Sequence, residues 1–361
     1  MAKPSIACPY SRKEIVEAGK VLRGSILIDD DRVPENVVNA FRIAHAWRHT
    51  FEVPMRDVRQ ELSSRNTFMN LGGSSAGRLK RMSSIRRKLN SRTLYDIQDI
   101  GGCRIILPSM KEVDAMSAYY CDGKSRHQVG RENDYIAAPR ATGYRSRHFI
   151  LKINGFDDDR QKIEVQVRTK LQHAWATAVE AAGLWLREDL KAGEGDPRWL
   201  RLFTLMAQKL AEEESACGIP GVGTFSSVLR RELCSLEAEL SAIAKLDGLC
   251  AAFKSIHPAR VSGMLLLEFD PSMMRLTVSK YSWANASDPN LRDELNSRSN
   301  SVVVDVDSIE DLKVAYPNYF FDVGLFLNRL RRAVGFSVEP VKSVQWPSGA
   351  WRLPAESDGG G

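Results

Sequence analysis

Two neighbouring stretches decide the fold: DYIAAPRATGYRSRH at residues 134–148 and EVQVRTKLQHAWATAVE at residues 164–180. Side chains alternate at the start of the second stretch, which predicts an extended strand with one polar face and one buried face. The polar face carries Lys162, Glu164, Gln166 and Arg168, and the β-branched face carries Ile163, Val165 and Val167. An acid, an amide and two cations on one sheet face would cost stability if they served structure alone. They suit a surface that binds phosphates and a metal.

Two further motifs precede these stretches in a fixed order. GRLKRMSSIRRKL occupies residues 77–89, and DIQDIGGCRII occupies residues 96–106. Together the four motifs resemble the synthetase region of the RelA/SpoT family, whose members move a pyrophosphate group from ATP to a nucleotide 3′-hydroxyl. The resemblance covers about 100 of 361 residues. It implies an α+β fold, with a nucleotidyltransferase-like mixed sheet flanked by helices.

Composition limits the class of protein, its compartment and its binding partners. The six cysteines are scattered with no CxxC pair, which argues against a zinc site and a secreted disulfide framework. No apolar run approaches the ~18 residues that span a bilayer, and the N-terminus has no secretion pattern. We therefore expect a cytoplasmic protein. Residues 1–190 hold 32 basic and 23 acidic side chains, whereas residues 191–361 hold 19 and 22. A basic front half suits polyphosphate or nucleic acid, although ordinary surface variation is the alternative.

The chain divides, on its patterns, into a pyrophosphokinase domain and a smaller C-terminal unit. We expect N-terminal helices over 1–75, a catalytic core over 76–190 and a helical extension over 191–255, which together form the first domain. Strand-like runs such as GMLLLEFD and SVVVDVD then predict a second small α/β domain at 256–345, with a flexible tail at 346–361.

The basic motif is the predicted ATP grip. We expect residues 77–89 to be a helix, on which residues four apart share one face. Seven Lys or Arg and no acid lie between Ala76 and Tyr95; a solvated basic helix is the alternative. The resemblance assigns the ATP phosphates to Lys80, Ser84 and Lys88, places Arg78 flat on the adenine, and lets Arg104 brace the site.

Two acids are the predicted Mg²⁺ ligands and catalytic residues. Asp99 precedes the Gly101–Gly102 turn and an apolar strand, a position suited to a hard ion that bridges phosphates. The family register selects Asp99 over Asp96, which we interpret as a helix cap. Glu164 is expected to share Mg²⁺ with Asp99 and to orient or deprotonate the attacking hydroxyl; a plain surface glutamate is the alternative.

The acceptor site is predicted around the GYRSRH motif. The resemblance implies that Tyr144 stacks on the acceptor base, and Gly143 permits a tight turn there. Arg140 is the expected phosphate clamp, and His148 a hydrogen-bonding partner. The remaining predicted acceptor residues are Gln166, Arg168 and His173, of which His173 could equally be a core residue packed by Trp175.

Some positions depart from the family pattern. Arg140 stands where family alarmone synthetases usually have lysine, and Thr142 where they often have asparagine. A second adenine-stacking arginine has no counterpart between Arg104 and Arg126, and Lys111 is the nearest cation. The hydrolase half of long family members has no counterpart either, so we expect synthesis without degradation.

The C-terminal sequence AYPNYFFD contains Tyr316 and Tyr319, a YxxY pair. This pair resembles that of fused toxin–antitoxin proteins of the CapRel type, in which a C-terminal domain covers the nucleotide site until a phage protein releases it. The resemblance implies transfer to the tRNA 3′-terminal adenosine under autoinhibition. Plain aromatic packing is the alternative for the two tyrosines. The alternatives for the protein are a small alarmone synthetase acting on GDP or GTP, and an inactive nucleotide-binding module.

Overall fold

The fold is a mixed α+β arrangement, as the sequence predicts. A computed structural model describes residues 8–24, 34–154, 161–186, 188–252, 254–256, 263–270, 273, 275–280, 300–306, 312–313 and 323–335. The described helices are α1 Arg12–Arg23, α2 Glu35–His49, α3 Glu52–Phe68, α4 Met82–Lys88, α5 Met110–Cys121, α6 Lys170–Leu186, α7 Pro197–Glu213, α8 Ser227–Leu240, α9 Ala242–Ala252 and α10 Gly324–Val334. No helix within these ranges is long and apolar enough to cross a bilayer.

One sheet of nine described strands runs through the molecule in the order β3-β4-β5-β2-β1-β9-β7-β8-β6. The strands are β1 Ser74–Leu79, β2 Gly101–Leu107, β3 Gln128–Asp134, β4 Arg147–Lys152, β5 Lys162–Thr169, β6 Lys254–Ile256, β7 Gly263–Asp270, β8 Arg275–Lys280 and β9 Asn300–Val306. Strands β2 and β5 are parallel, as are β6 and β8, and the other neighbours are antiparallel.

Strand β5 has the predicted alternation. Ile163, Val165 and Val167 are fully buried in the core that α3 and α5 help to form, and the polar side chains point to the other face. The parallel register with β2 sets Gly102 beside Glu164 and Arg104 beside Gln166. This pairing brings the third and fourth sequence motifs together.

The predicted helix over residues 77–89 is wrong in its first part. Residues up to Leu79 belong to strand β1, and the helix α4 begins only at Met82. Gly77 packs so close to Met55 that a Cβ there would lie 3.2 Å from its side chain. Pairing with β2 along the whole of β1 overrides the weak local helix preference. Met82, Ile85 and Leu89 form the buried side of this stretch.

The C-terminal strands extend the same sheet. Strand β9 pairs with β1, setting Val304 beside Arg78 and Asp305 beside Gly77. Asp305 is 1% exposed and accepts a hydrogen bond from Nε of Arg59 on α3 at 2.8 Å. The predicted division into two domains near residue 255 stays a prediction. The YxxY pair and the predicted tail lie outside the described residues.

The buried Asp305–Arg59 pair yields a stability prediction. Asp305→Ala should lower the free energy of unfolding by about 3–5 kcal/mol, because it leaves a buried guanidinium without its carboxylate. Urea denaturation would measure the change. The control is Asp247→Ala, which breaks the half-exposed ion pair with Arg331 and should cost at most about 1 kcal/mol. Equal losses in the two variants would contradict the account.

Candidate active site

The site lies on the polar face of β1, β2 and β5. A cleft of about 270 Å³, measured with its open mouth, is lined by Arg78, Asp99, Gly102, Cys103, Arg104, Glu164 and Gln166. The strand pairing explains this grouping, because Arg78 and Glu164 both lie opposite Gly102, one from each side. Gly102 has no side chain to separate them, so both can face the same space.

Asp99 is held by two lysines at the entrance of β2. Its Oδ2 accepts hydrogen bonds from Nζ of Lys80 at 2.8 Å and from Nζ of Lys88 at 2.6 Å. Burial raises the pKa of Asp99, but the attraction of Lys80 and Lys88 and the hydrogen bond from Lys80 together outweigh burial, so the net pKa is lowered. Burial also lowers the pKa of Lys80 to about 8, against the attraction of Asp99. Ser84 lies one turn before Lys88 on α4.

Glu164 is the last residue in a chain of hydrogen bonds that runs from Tyr144 through His148. Burial alone would raise its pKa, but hydrogen bonds from His148 and Gln166 hold the pKa well below its usual range. An ionised carboxylate only accepts, so Nδ1 of His148 donates to Oε1 at 3.0 Å. Gln166 donates to Oε2 at 2.7 Å. Glu164 is therefore a fixed negative charge in this site.

The acceptor loop continues this chain. The hydroxyl of Tyr144 lies 2.8 Å from Nε2 of His148 and donates to it when the imidazole is neutral. Gly143 has φ +95°, and a Cβ there would lie 2.5 Å from Ala207, so the turn requires glycine. Tyr144 itself is only 7% exposed. Base stacking on this ring would require its cover to move.

Tyr135 forms part of that cover, and sequence reasoning missed it. Its ring packs edge-on against Tyr144 at 6.0 Å and against His148 at 5.1 Å. The guanidinium of Arg140 lies 4.6 Å from the Tyr135 ring centroid and 6.0 Å from that of Tyr144. Tyr135 belongs to the DYI sequence at the start of the motif, but only the fold shows that it contacts both Tyr144 and His148.

Most of the predicted site residues lie in the cleft or are hydrogen-bonded to a residue that lines it. The cleft brings together Arg78, Asp99, Arg104, Glu164 and Gln166, with Lys80 and Lys88 bound to Asp99 and the Tyr144–His148 pair bound to Glu164. Arg168 lies on the same face of β5 but is fully buried. His173 is buried on α6 and does not line the cleft.

Two carboxylates fit the predicted Mg²⁺. Among the described residues, Oδ1 of Asp99 is buried and has no hydrogen-bond partner, which leaves an oxygen free for a hard cation. No described group of three or more His, Cys, Asp or Glu is placed to hold a metal. Mg²⁺ needs only one or two carboxylates when substrate phosphates complete its shell, so this donor set suits it.

Residues 77–186 match a family model described as "Region found in RelA / SpoT proteins". The matched region carries the whole cleft. The match covers all four sequence motifs.

Curated relatives align with the same part of the chain. The probable chloroplastic GTP diphosphokinase RSH2 of Oryza sativa subsp. japonica is 36% identical over 106 residues, which cover 28% of this chain and 14% of the relative. A GTP pyrophosphokinase of Photobacterium angustum is 26% identical over 156 residues, which cover 43% of this chain and 20% of the relative. The chain thus spans a fifth or less of these relatives.

Among solved structures, small alarmone synthetase 2 from Bacillus subtilis superposes with a TM-score of 0.41 at 20% identity. The superposition covers 47% of this chain and 94% of the synthetase.

Proposed function

We propose that this protein is an ATP-dependent pyrophosphokinase that acts on a nucleotide 3′-hydroxyl. The observation that carries the proposal is the pair Asp99 and Glu164, which face one cleft among Arg78, Arg104, Lys80 and Lys88. Two acids among four cations suit a metal-bound polyphosphate. The phosphates of such a ligand would neutralise the four cations, and the two carboxylates would bind its metal ion. The names of the curated relatives, GTP diphosphokinase and GTP pyrophosphokinase, support the same reaction class.

The reaction transfers the β- and γ-phosphates of ATP as one group. The acceptor oxygen forms a bond to the β-phosphorus, the bond from that phosphorus to the oxygen shared with the α-phosphate breaks, and AMP leaves. Bound Mg²⁺, held by Asp99 and Glu164, would supply charge neutralisation on the phosphates. Lys80 and Lys88 hold phosphate oxygens, and Arg78 holds the adenine through its planar cation.

Glu164 orients the hydroxyl and receives its proton as the new bond forms. Its low pKa makes it a weak base in the ground state, which suits a loose transition state where the proton leaves late. His148 and Gln166 fix the carboxylate in one position through two hydrogen bonds. Positioning then contributes more to the rate than basicity does.

We propose the tRNA 3′-terminal adenosine as the first acceptor. The support is the basic front half of the chain together with exposed cations on and after α4, including Arg87 and Arg92. Such cations would meet RNA phosphates that a free nucleotide lacks. The second candidate acceptor is GDP or GTP, which the names of the curated relatives favour.

We further propose that the C-terminal part regulates the enzyme. Strand β9 pairs with β1 next to Arg78, so the C-terminal segment reaches the strand of the predicted adenine site. Tyr316 or Tyr319 would occupy the adenine position over Arg78, since a ring over a guanidinium imitates a base. A phage protein that binds the open form would then activate transfer, as in a fused toxin–antitoxin.

Glu164→Gln tests the chemistry. The change keeps the volume but removes the fixed charge, so transfer from γ-labelled ATP should fall by at least about 100-fold. Thermal unfolding and circular dichroism should stay near wild type. Wild-type turnover in the variant would contradict the role of Glu164, and an unfolded variant would show that the residue is needed for structure instead.

The acceptor is tested by incubating γ-labelled ATP with bulk tRNA or with GDP and GTP, and locating the label. With tRNA, the rate should fall steeply between low and moderate salt, through release of counterions. Arg92→Glu should weaken labelling of tRNA but not of GDP, whereas Arg231→Glu on α8 serves as the exposed control. Ready labelling of GDP with none of tRNA would select the second acceptor. Absence of label on either would favour the inactive module.

Regulation is tested by Tyr319→Ala. The variant should raise ATP turnover and toxicity to the host, because a missing ring loosens closure, while Tyr319→Phe should stay near wild type. Deletion from residue 256 is a poorer test, since it shortens β6 and removes β7, β8 and β9 from the sheet. Unchanged activity in Tyr319→Ala would favour plain packing of the tyrosines.

A further inference from the structure

A short segment after α6, residues 188–196, packs against elements that flank the site. It lies outside the matched RelA/SpoT region. Asp189 forms an ion pair with Arg87 of α4, on the predicted ATP side. Gly193 lies beside Thr142 of the acceptor loop, where an added Cβ would meet the threonine at 3.2 Å. The segment therefore touches both α4 and the acceptor loop.

Lys191 is the central residue of this segment. Its Nζ donates to Oε1 of Glu180 on α6 and lies 5.8 Å from the ring centroid of Tyr144. Burial lowers the pKa of Lys191 to about 8, against the attraction of Glu180 and with repulsion from Arg78 and Arg104. The side chain is 36% exposed, so it can reach solvent and a ligand.

Arg168 lies under the same corner of the site. It is 1% exposed, and among the described residues its Nε and Nη1 have no hydrogen-bond partner. Burial and the nearby Arg104 lower its pKa to about 9, while Tyr144 and Glu180 act in the other direction. A buried guanidinium with two unbonded nitrogens is costly unless an anion satisfies it.

The charges at this corner are unbalanced. Among the described residues, the carboxylate of Glu180 interacts electrostatically with Lys191, Arg104, Arg78 and Arg168. Burial raises the pKa of Glu180, but Lys191 and Arg104 hold it well below its usual range. Glu180 therefore stays ionised and can satisfy only part of the surrounding positive charge. The corner is suited to receive one more anion.

We propose that Arg168, Lys191 and Glu180 form an anion subsite for the 5′-phosphate of the acceptor nucleotide. On binding, Lys191 leaves Glu180 and contacts the phosphate, so Glu180 competes with the substrate. The subsite belongs to the acceptor rather than to ATP, because Lys191 lies over Tyr144 whereas Lys80 and Lys88 are bound to Asp99. This inference rests on the proposed function and deepens it.

The test measures binding directly, by calorimetry with inorganic pyrophosphate, GDP and bulk tRNA as separate probes. Lys191→Met should weaken binding of at least one probe by about tenfold, the size of one lost charged hydrogen bond. Glu180→Gln should tighten binding of the same probe several-fold, because the competing charge is gone. The control is Lys209→Met, since Lys209 also pairs with a glutamate and is 32% exposed; it should bind like wild type.

The two variants should change the binding affinity in opposite directions, which distinguishes an anion subsite from a purely structural ion pair. If the Lys191–Glu180 pair were structural only, both variants would lower the unfolding temperature and neither would change affinity, which would overturn the proposal. Arg168→Lys adds a second variant that keeps a buried charge, and it too should weaken binding. GDP and tRNA as separate probes show whether the phosphate comes from a free nucleotide or from RNA.

Transfer assays distinguish failure of the proposed anion subsite from failure of the proposed pyrophosphokinase activity. Opposite shifts in affinity without any labelled acceptor would support the subsite and refute the pyrophosphokinase. Labelled acceptor with an equal KM in wild type and Lys191→Met would support the enzyme and refute the subsite. No binding of any of the three probes by wild type would also refute the subsite.

Discussion

The parallel pairing of β2 with β5 is the constraint on which the site depends. It sets Gly102 beside Glu164 and Arg104 beside Gln166, and it places Asp99 just before the first of these pairs. Because successive side chains alternate across a strand, one register determines all the polar groups at once. A slip by one residue would turn Glu164 into the core and bring Val165 to the cleft.

Charge compensation then holds the polar face together. Asp99 binds two lysines, and Glu164 is fixed by His148 and Gln166. Each buried charge is costly alone, but the pairs and hydrogen bonds offset most of this cost. The balance is incomplete at Arg168, which has nitrogens without partners among the described residues. Excess positive charge of this kind prepares a site for phosphates before any substrate arrives.

Local patterns predicted the elements that carry the chemistry. The alternation over residues 162–168 predicted the strand and its two faces, and the helices expected over residues 1–75 are present among the described residues of that range. The start of the basic motif was misassigned, because Gly77 to Leu79 pair with β2 along the sheet and a short basic run carries no sign of that partner. The roles of the site residues stay predictions, although the fold brings most of them to one cleft.

Long-range contacts were beyond the reach of sequence. Nothing local to residues 300–306 indicates that β9 pairs with β1, or that Asp305 meets Arg59 on α3. Tyr135 and Lys191 were missed for the same reason, since each matters only through neighbours that are distant in the chain. Lys191 also follows the family motifs, so no resemblance pointed to it.

The central claim is that Asp99 and Glu164 share one divalent cation with the phosphates of ATP. Electron paramagnetic resonance with Mn²⁺ in place of Mg²⁺, in the presence of a non-hydrolysable ATP analogue, tests it most directly. The account predicts one bound Mn²⁺ per wild-type chain, with affinity at least about tenfold weaker in Asp99→Asn and in Glu164→Gln. Equal Mn²⁺ affinity in wild type and both folded variants would contradict it.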